Sequence, residues 1–310
     1  MRILIVGAGA TGGYFGGRLL QSGRNVTFLV RPGRAASLAR DGLRIRSSTG
    51  DLTLPAPPTV LATELRDAYE LILLSCKAYD LDSVMQDIAP AVGPHTAILP
   101  ILNGMRHLDL LDARFGPQHV LGGQCVIAAT LDATGVIQHL SPSHSLSFGE
   151  RDGMDSERVR AIARAMDGAG FMPRASNSIL QDMWDKWLFL ATLAGITCLM
   201  RASVGDITAA PGGAETTLRL LEDCLSVAAY AGHQPSEEVL QRTRRVLTDQ
   251  GSTLTASMLR DLENGGATEA DHVIGDMIKR ARASYGDTPL LDVVYAHLKA
   301  YEARRAHKLT

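Results

Sequence analysis

Apolar residues fall in short unbroken runs through the first third of the chain and at helical spacing through the last. The runs are 2–6 (RILIV), 25–30 (NVTFLV), 71–76 (LILLSC) and 97–102 (AILPIL). A continuous apolar run predicts a parallel strand covered on both faces. Each run is followed by a helical pattern, and such βαβ alternation predicts a doubly wound, mostly parallel sheet. Between 120 and 149 the texture changes. VLGGQCVIAATL, GVIQHL and HSLSFGE read as successive strands separated by Gly, Asp and Ser-Pro turns, an antiparallel extension of the sheet. Residues 156–169 read as helix and 170–174 as a last edge strand. Beyond about 178 the pattern is helical only, near 179–201, 213–232, 236–249, 253–264, 268–284 and 289–305. The expected architecture is an α/β domain at 1–176 followed by an all-α domain at 177–310, divided in the polar segment RASNS.

Composition narrows the function classes. The chain has 310 residues, 45% hydrophobic and 21% charged, as in ordinary globular proteins. A net charge of -2 supplies no general attraction to nucleic acid or to an anionic membrane, so neither is an expected partner. The arginines at 242, 244, 245, 304 and 305 read as solvated helix faces. Cysteines stand at 76, 125, 198 and 224 with no Cys-x-x-Cys and no histidine at metal spacing, which argues for a reducing compartment and against a metal site. The first strand begins at Arg2 and leaves no room for a leader, and the longest apolar stretch, Trp187 to Met200, is 14 residues, too short to span a bilayer. The expected location is cytoplasmic.

The segment after the first strand carries the clearest chemistry. Gly7, Ala8, Gly9, Ala10, Thr11 and Gly12 place a G-x-G-x-x-G between a strand and a helix, the context in which that motif binds a dinucleotide. Gly7 permits the tight turn, Gly9 lets backbone approach the pyrophosphate, Gly12 lets helix and strand pack closely, and the helix-start amides face the phosphates. A Rossmann domain for NAD(P) is thus expected. The end of the second strand bears on which cofactor. Asp or Glu there would hold a ribose 2′-hydroxyl, but this chain has Arg31, whose guanidinium can grip a 2′-phosphate. That favours NADPH, although a solvated loop arginine fits the position too. Lys77 and Asn103 end two further strands on the side where ligands bind in such sheets, and each also fits an ordinary turn.

A reductase needs a proton donor as well as a hydride. Lys186, between Trp184 and Trp187 at the entrance of an apolar helix, is a candidate; taken alone it fits a snorkelling lysine equally. The sequence resembles the ketopantoate reductase (2-dehydropantoate 2-reductase) family over nearly its whole length. The matching motifs are GAGATG at 7–12, Arg31, SCKAYD at 75–80, LNGM at 102–105, W-x-K at 184–186 and SMLRDLENGGATEADHVIG at 257–275. The resemblance implies a Rossmann domain and a helical domain with substrate in the cleft between them, and hydride transfer from NADPH to a 2-keto acid, in the family 2-dehydropantoate to pantoate for pantothenate biosynthesis. It implies that Lys186 protonates the carbonyl oxygen and Asn103 aligns lysine and nicotinamide. Ser257 would hold the substrate carboxylate, Glu269 would order the lysine and substrate contacts, and Arg31 and Lys77 would line the cofactor.

One departure concerns the substrate. The family typically carries asparagines four and eight residues after the lysine, in one row on the helix, whereas Leu190 and Ala194 stand here. A site that hydrogen-bonds a substrate hydroxyl rejects analogues lacking it by about 10⁴ or more, so losing such donors points to a more apolar 2-keto acid. A dehydrogenase similar to the 6-phosphogluconate dehydrogenase superfamily and a catalytically inactive NADPH-binding regulator remain alternatives. His139 and His144 are left outside the site, and Asp271 reads as solvated. The apolar helices suit either core packing or a homodimer.

Overall fold

The computed structural model describes residues 1–283 and 286–309. The chain divides into two compact units, the first comprising Met1–Leu102 and His107–Leu180, the second Asn103–Arg106 and Gln181–Thr310. This division falls four residues beyond the boundary expected at 176/177, and the short segment Asn103–Arg106 groups with the helical unit rather than with the strands around it.

Among the described residues, the first unit holds all ten strands: β1 (Arg2–Val6), β2 (Asn25–Leu29), β3 (Leu43–Arg46), β4 (Leu52–Leu54), β5 (Thr59–Val60), β6 (Leu71–Leu74), β7 (Ala97–Pro100), β8 (Gly122–Leu131), β9 (Val136–Gly149) and β10 (Met172–Ala175). Its helices are α1 (Ala10–Gln21), α2 (Pro32–Asp41), α3 (Leu81–Ile88), α4 (Arg106–Phe115) and α5 (Glu157–Met166). A parallel sheet runs in the order β5-β2-β1-β6-β7, which places β1 at its centre. Ile3, Leu4, Ile5 and Val6 are accordingly at most 3% exposed, as an unbroken apolar strand requires.

The antiparallel hairpin β8–β9 belongs to a second sheet, ordered β10-β9-β3-β4 with β8 paired to β9. An isolated bridge, Ile98 to Val120, links this region to the parallel sheet. GVIQHL and HSLSFGE form one 14-residue strand rather than two. Helix α1 lies between the sheets, and its glycines make that approach possible. A Cβ on Gly12 would run into the Ser75 hydroxyl and the Gly7 carbonyl, and one on Gly16 would meet Phe28, all on the parallel-sheet side. On the other side, a Cβ on Gly13 would meet Ile137 and one on Gly17 would meet Leu43 and Ile45. Close packing of this helix is thus written into its glycine spacing.

The second unit is helical: α6 (Ile179–Met200), α7 (Val204–Ala209), α8 (Gly213–Tyr230), α9 (Glu237–Leu247), α10 (Ser257–Glu263), α11 (Asp276–Ala283) and α12 (Pro289–Leu309). A π-helical turn, Asp271–Gly275, leads directly into α11. Such turns widen the helix locally and are frequent at functional sites. No helix among the described residues is long and apolar enough to cross a membrane.

Candidate active site

The glycine turn opens onto a cavity of about 510 Å³ within the first unit. That volume suits a sizeable small-molecule ligand. Its lining includes Gly7, Ala8, Gly9, Arg31, Arg34, Ser75, Lys77 and Asp80. Gly7 takes φ +92°, in the left-handed region that glycine adopts without a Cβ penalty. A Cβ on Gly9 would meet nothing within 4 Å, because this position faces the open cavity. Gly9 is also the N-cap of α1 and provides no side-chain cap, which leaves the first amides of the helix for a ligand. Ser75 donates its hydroxyl to the Val6 carbonyl at 2.7 Å and so ties the ends of β1 and β6 together beside the turn.

Of the expected cofactor residues, Gly7, Ala8, Gly9, Arg31 and Lys77 line the cavity. Ala10, Thr11 and Gly12 form the opening turn of α1, with Gly12 in its packing role. Asn103 belongs to the second unit. Arg34, Asp80 and Asp87 also line it and were not among the expected site residues. Arg34, in the first turn of α2, donates Nε to the Ala8 carbonyl at 3.0 Å, while its buried Nη2 makes no hydrogen bond. Burial, and then the charge of Arg44, lower its pKa from the ordinary arginine value. Asp80 accepts from Arg31 Nη2 at 2.7 Å. This hydrogen bond, reinforced by the carboxylate's charge, favours the protonated guanidinium still further.

The second unit gathers a different set of groups. The glycine turn after Asn103 packs tightly, since a Cβ on Gly104 (φ +82°) would stand 2.7 Å from the His272 carbonyl oxygen and 3.7 Å from Trp187 Nε1. Trp187 in turn donates Nε1 to the Val273 carbonyl at 2.9 Å. The segments bearing Asn103, Lys186 and Glu269 are thereby drawn together, although 166 residues separate the first from the last in sequence. Lys186 is half-buried between the buried Trp184 and Trp187, and Glu269 is 9% exposed immediately before the π-helical turn.

Ser257 is exposed as the first residue of α10 and is not joined to that cluster by the same contacts. Its neighbour Ala256 donates its amide to Thr197 Oγ1 on α6 at 3.4 Å. Thr197 lies eleven residues beyond Lys186, roughly 16 Å along the helix axis. Between them Leu190 is half-buried and Ala194 is 5% exposed, so apolar side chains occupy the row in which the family carries amides.

Asp271 corrects the sequence reading. It is half-buried, and it accepts from Tyr295 Oη at 2.6 Å and from Lys299 Nζ at 3.1 Å. Burial opposes its charge, but these hydrogen bonds and the nearby Lys299 and Arg106 prevail and hold its carboxyl below the usual carboxylate range. His272 carries a buried Nε2 without a hydrogen bond, and burial, followed by Arg106, lowers its pKa. Arg106, at the end of the LNGMR segment, therefore acts electrostatically on both residues at the start of the π-helical turn. The histidines of the first unit do have a structural role. His144 Nδ1 hydrogen-bonds Tyr14 Oη at 2.7 Å and the His139 ring stacks on His144 at 5.4 Å.

Comparison with known proteins agrees with this division. Residues 3–153 match the family model described as ketopantoate reductase PanE/ApbA, and residues 178–302 match that of its C-terminal domain. The chain is 38% identical over 305 residues to YkpB of Bacillus subtilis, described as an uncharacterized oxidoreductase, covering 98% of this chain and 100% of that one. It shares 29% identity with the crystal structure of 2-dehydropantoate 2-reductase from Methylococcus capsulatus, at a TM-score of 0.86 and 98% coverage of both chains. A ternary structure of D-mandelate dehydrogenase with NADH and anilino(oxo)acetate has the same fold, with 23% identity, a TM-score of 0.88 and coverage of 99% of this chain and 100% of that one. A dinucleotide-type glycine turn in one unit, a second glycine turn packed against Trp187 and the π-helical segment in the other, and these two matching models lead to one conclusion: the protein is an oxidoreductase belonging to the ketopantoate reductase family.

Proposed function

We propose that the protein reduces a 2-keto acid to the corresponding 2-hydroxy acid with NADPH. The observation that supports the reading is the packing of the Asn103–Gly104 turn onto Trp187 and the π-helical turn, which joins the segments that carry Asn103, Lys186 and Glu269. The cavity of the first unit suits a dinucleotide. Its glycine turn offers uncapped helix amides, and Arg31, Arg34 and Lys77 offer positive charge for phosphates. When bound, the reduced nicotinamide supplies hydride to the carbonyl carbon.

The chain's own residues do the rest. Lys186 donates a proton to the carbonyl oxygen as the carbon–oxygen π bond opens, so the carbonyl becomes a hydroxyl. Asn103 orients the reacting groups through its side-chain amide, and Glu269, an acceptor when ionised, orders the lysine ammonium. Ser257 offers a hydroxyl to the substrate carboxylate. For the rest of the substrate, 2-dehydropantoate is what family membership suggests, whereas Leu190 and Ala194 favour a keto acid with a more apolar side chain. D-mandelate dehydrogenase, which shares this fold, forms a ternary structure with NADH and anilino(oxo)acetate, an aromatic ligand.

The test is consumption of NADPH, followed by the loss of reduced-nicotinamide absorbance, with 2-dehydropantoate and a panel of aliphatic and aromatic 2-keto acids. Turnover highest with an apolar member supports the reading. No turnover with any 2-keto acid, despite firm NADPH binding, would sink it and favour a regulatory NADPH-binding protein.

A further inference from the structure

The cofactor cavity contains an acid where its basic lining would lead one to expect none. Arg31 closes β2 and Asp80 follows β6, the two strands flanking β1. Their ion pair, Arg31 Nη2 to Asp80 Oδ1 at 2.7 Å, therefore reaches from one neighbour of β1 to the other at the end of the sheet where the glycine turn lies. Asp80 stands at the N-cap of α3 yet makes no side-chain cap there, so its carboxylate is engaged by Arg31 instead of by its own helix. Arg31 is 75% exposed and Asp80 30%. Asp87, on α3, also lines the cavity and adds negative charge near Arg31. On the other side of the balance stand Lys77 and Arg34, the latter with its sequestered, unbonded Nη2.

We infer that Asp80 sets the cofactor selectivity of this site and holds it to a modest preference for NADPH over NADH. The inference rests on the dinucleotide reading of the cavity. A cofactor with a 2′-phosphate must draw Arg31 away from Asp80 and then sit near a carboxylate that repels it. Arg34 is the second cation available to that phosphate, since one of its donors has no acceptor. A cofactor with a free ribose diol leaves the Arg31–Asp80 pair intact and can donate a hydroxyl proton to the carboxylate. In ordinary NAD sites the acid comes from the end of the second strand. In this chain Arg31, two residues beyond β2, provides a base, and the acid comes from Asp80, in the turn between β6 and α3. The two specificities thus share one cavity mouth.

Direct titration of the purified protein with NADPH and with NADH, read by the fluorescence of the bound reduced nicotinamide, tests this without any substrate. Asp80→Asn keeps the shape and removes the charge. It is expected to tighten NADPH roughly tenfold, the size of a unit-charge effect across a partly hydrated site, and to weaken NADH several-fold. Asp80→Ala, which also removes the acceptor, should shift the ratio in the same direction. Should wild-type protein bind the cofactors while both variants leave the NADPH-to-NADH ratio within twofold of wild type, the role of Asp80 is overturned and the dinucleotide reading stands. Wild-type protein that binds neither cofactor would overturn both.

Discussion

The two units build their sites by opposite routes. In the first, a single stretch of about thirty residues supplies strand, turn, helix and Arg31, and later segments add Lys77, Asp80 and Asp87 to the cavity lining. In the second, the segments that carry Asn103, Lys186 and Glu269 are far apart in sequence and are joined by one tryptophan hydrogen bond and one tightly packed glycine. The glycine turn depends on the shape of its own backbone, whereas the arrangement in the helical unit depends on contacts between segments far apart in sequence.

That contrast can be broken most forcefully at Lys186. Lys186→Ala is expected to lower kcat by about 10³-fold, within the range for loss of a positioned acid, and to leave NADPH affinity within a factor of about two. Steady-state kinetics paired with cofactor titration reads both, and unchanged turnover would remove Lys186 from the chemistry. Arg31→Ala should do the reverse. It should weaken NADPH roughly thirtyfold through loss of a charge-assisted contact, with NADH changed by less than about threefold. Equal weakening of both cofactors would mean that Arg31 does not meet the 2′-phosphate.

A smaller effect is expected from Trp187→Phe, which removes the hydrogen bond to the Val273 carbonyl and leaves most of the aromatic packing. The cost should be about 1–2 kcal/mol of stability, because a buried acceptor loses its donor. It should bring a several-fold fall in kcat without loss of NADPH binding. Chemical denaturation and kinetics on one preparation check both; stability loss with normal kcat would show that this bond holds the fold but not the catalytic groups.

The smallest effect concerns pH. Burial lowers the pKa of His272 in the helical unit and of His144 in the nucleotide unit. The unfolded chain then binds more protons than the folded one, so each contribution is fully present above the ordinary histidine pKa and is lost as pH falls through that value towards the lowered one. Urea midpoints between about pH 8 and about pH 5 should decline for the wild type, and less steeply for His272→Asn. An identical decline in the variant would mean that His272 stays uncharged, or equally solvated, in both states.

Legibility in the sequence followed the range of the interactions. β1, α1 and β2 could be read because their apolar runs and glycines act on neighbours within thirty residues. The helical patterns beyond 178 were readable for the same reason. β3, β4 and β5 were missed: LRIR, LTL and TV are short, partly polar segments that become strands by pairing with partners such as Val136–Gln138. The break between GVIQHL and HSLSFGE was overread, because β9 carries its Ser-Pro-Ser through a long strand paired on both sides of an irregularity opposite Ile127 and Ala129. Asp271 looked solvated because its partners, Tyr295 and Lys299, lie more than twenty residues downstream.

The sequence by itself determined the nucleotide motif, the order of the two units and the candidate residues Lys186, Ser257 and Glu269, since these depend on local spacing or on motifs carried intact along the chain. Only the tertiary structure decided that α1 is clasped between two sheets, that the Asn103 turn groups with the helical unit, and that Arg31 reaches across to Asp80. Each of those facts is a contact between segments whose separation along the chain carries no record of their distance in space. The charge balance at the mouth of the cavity is therefore a property of the fold.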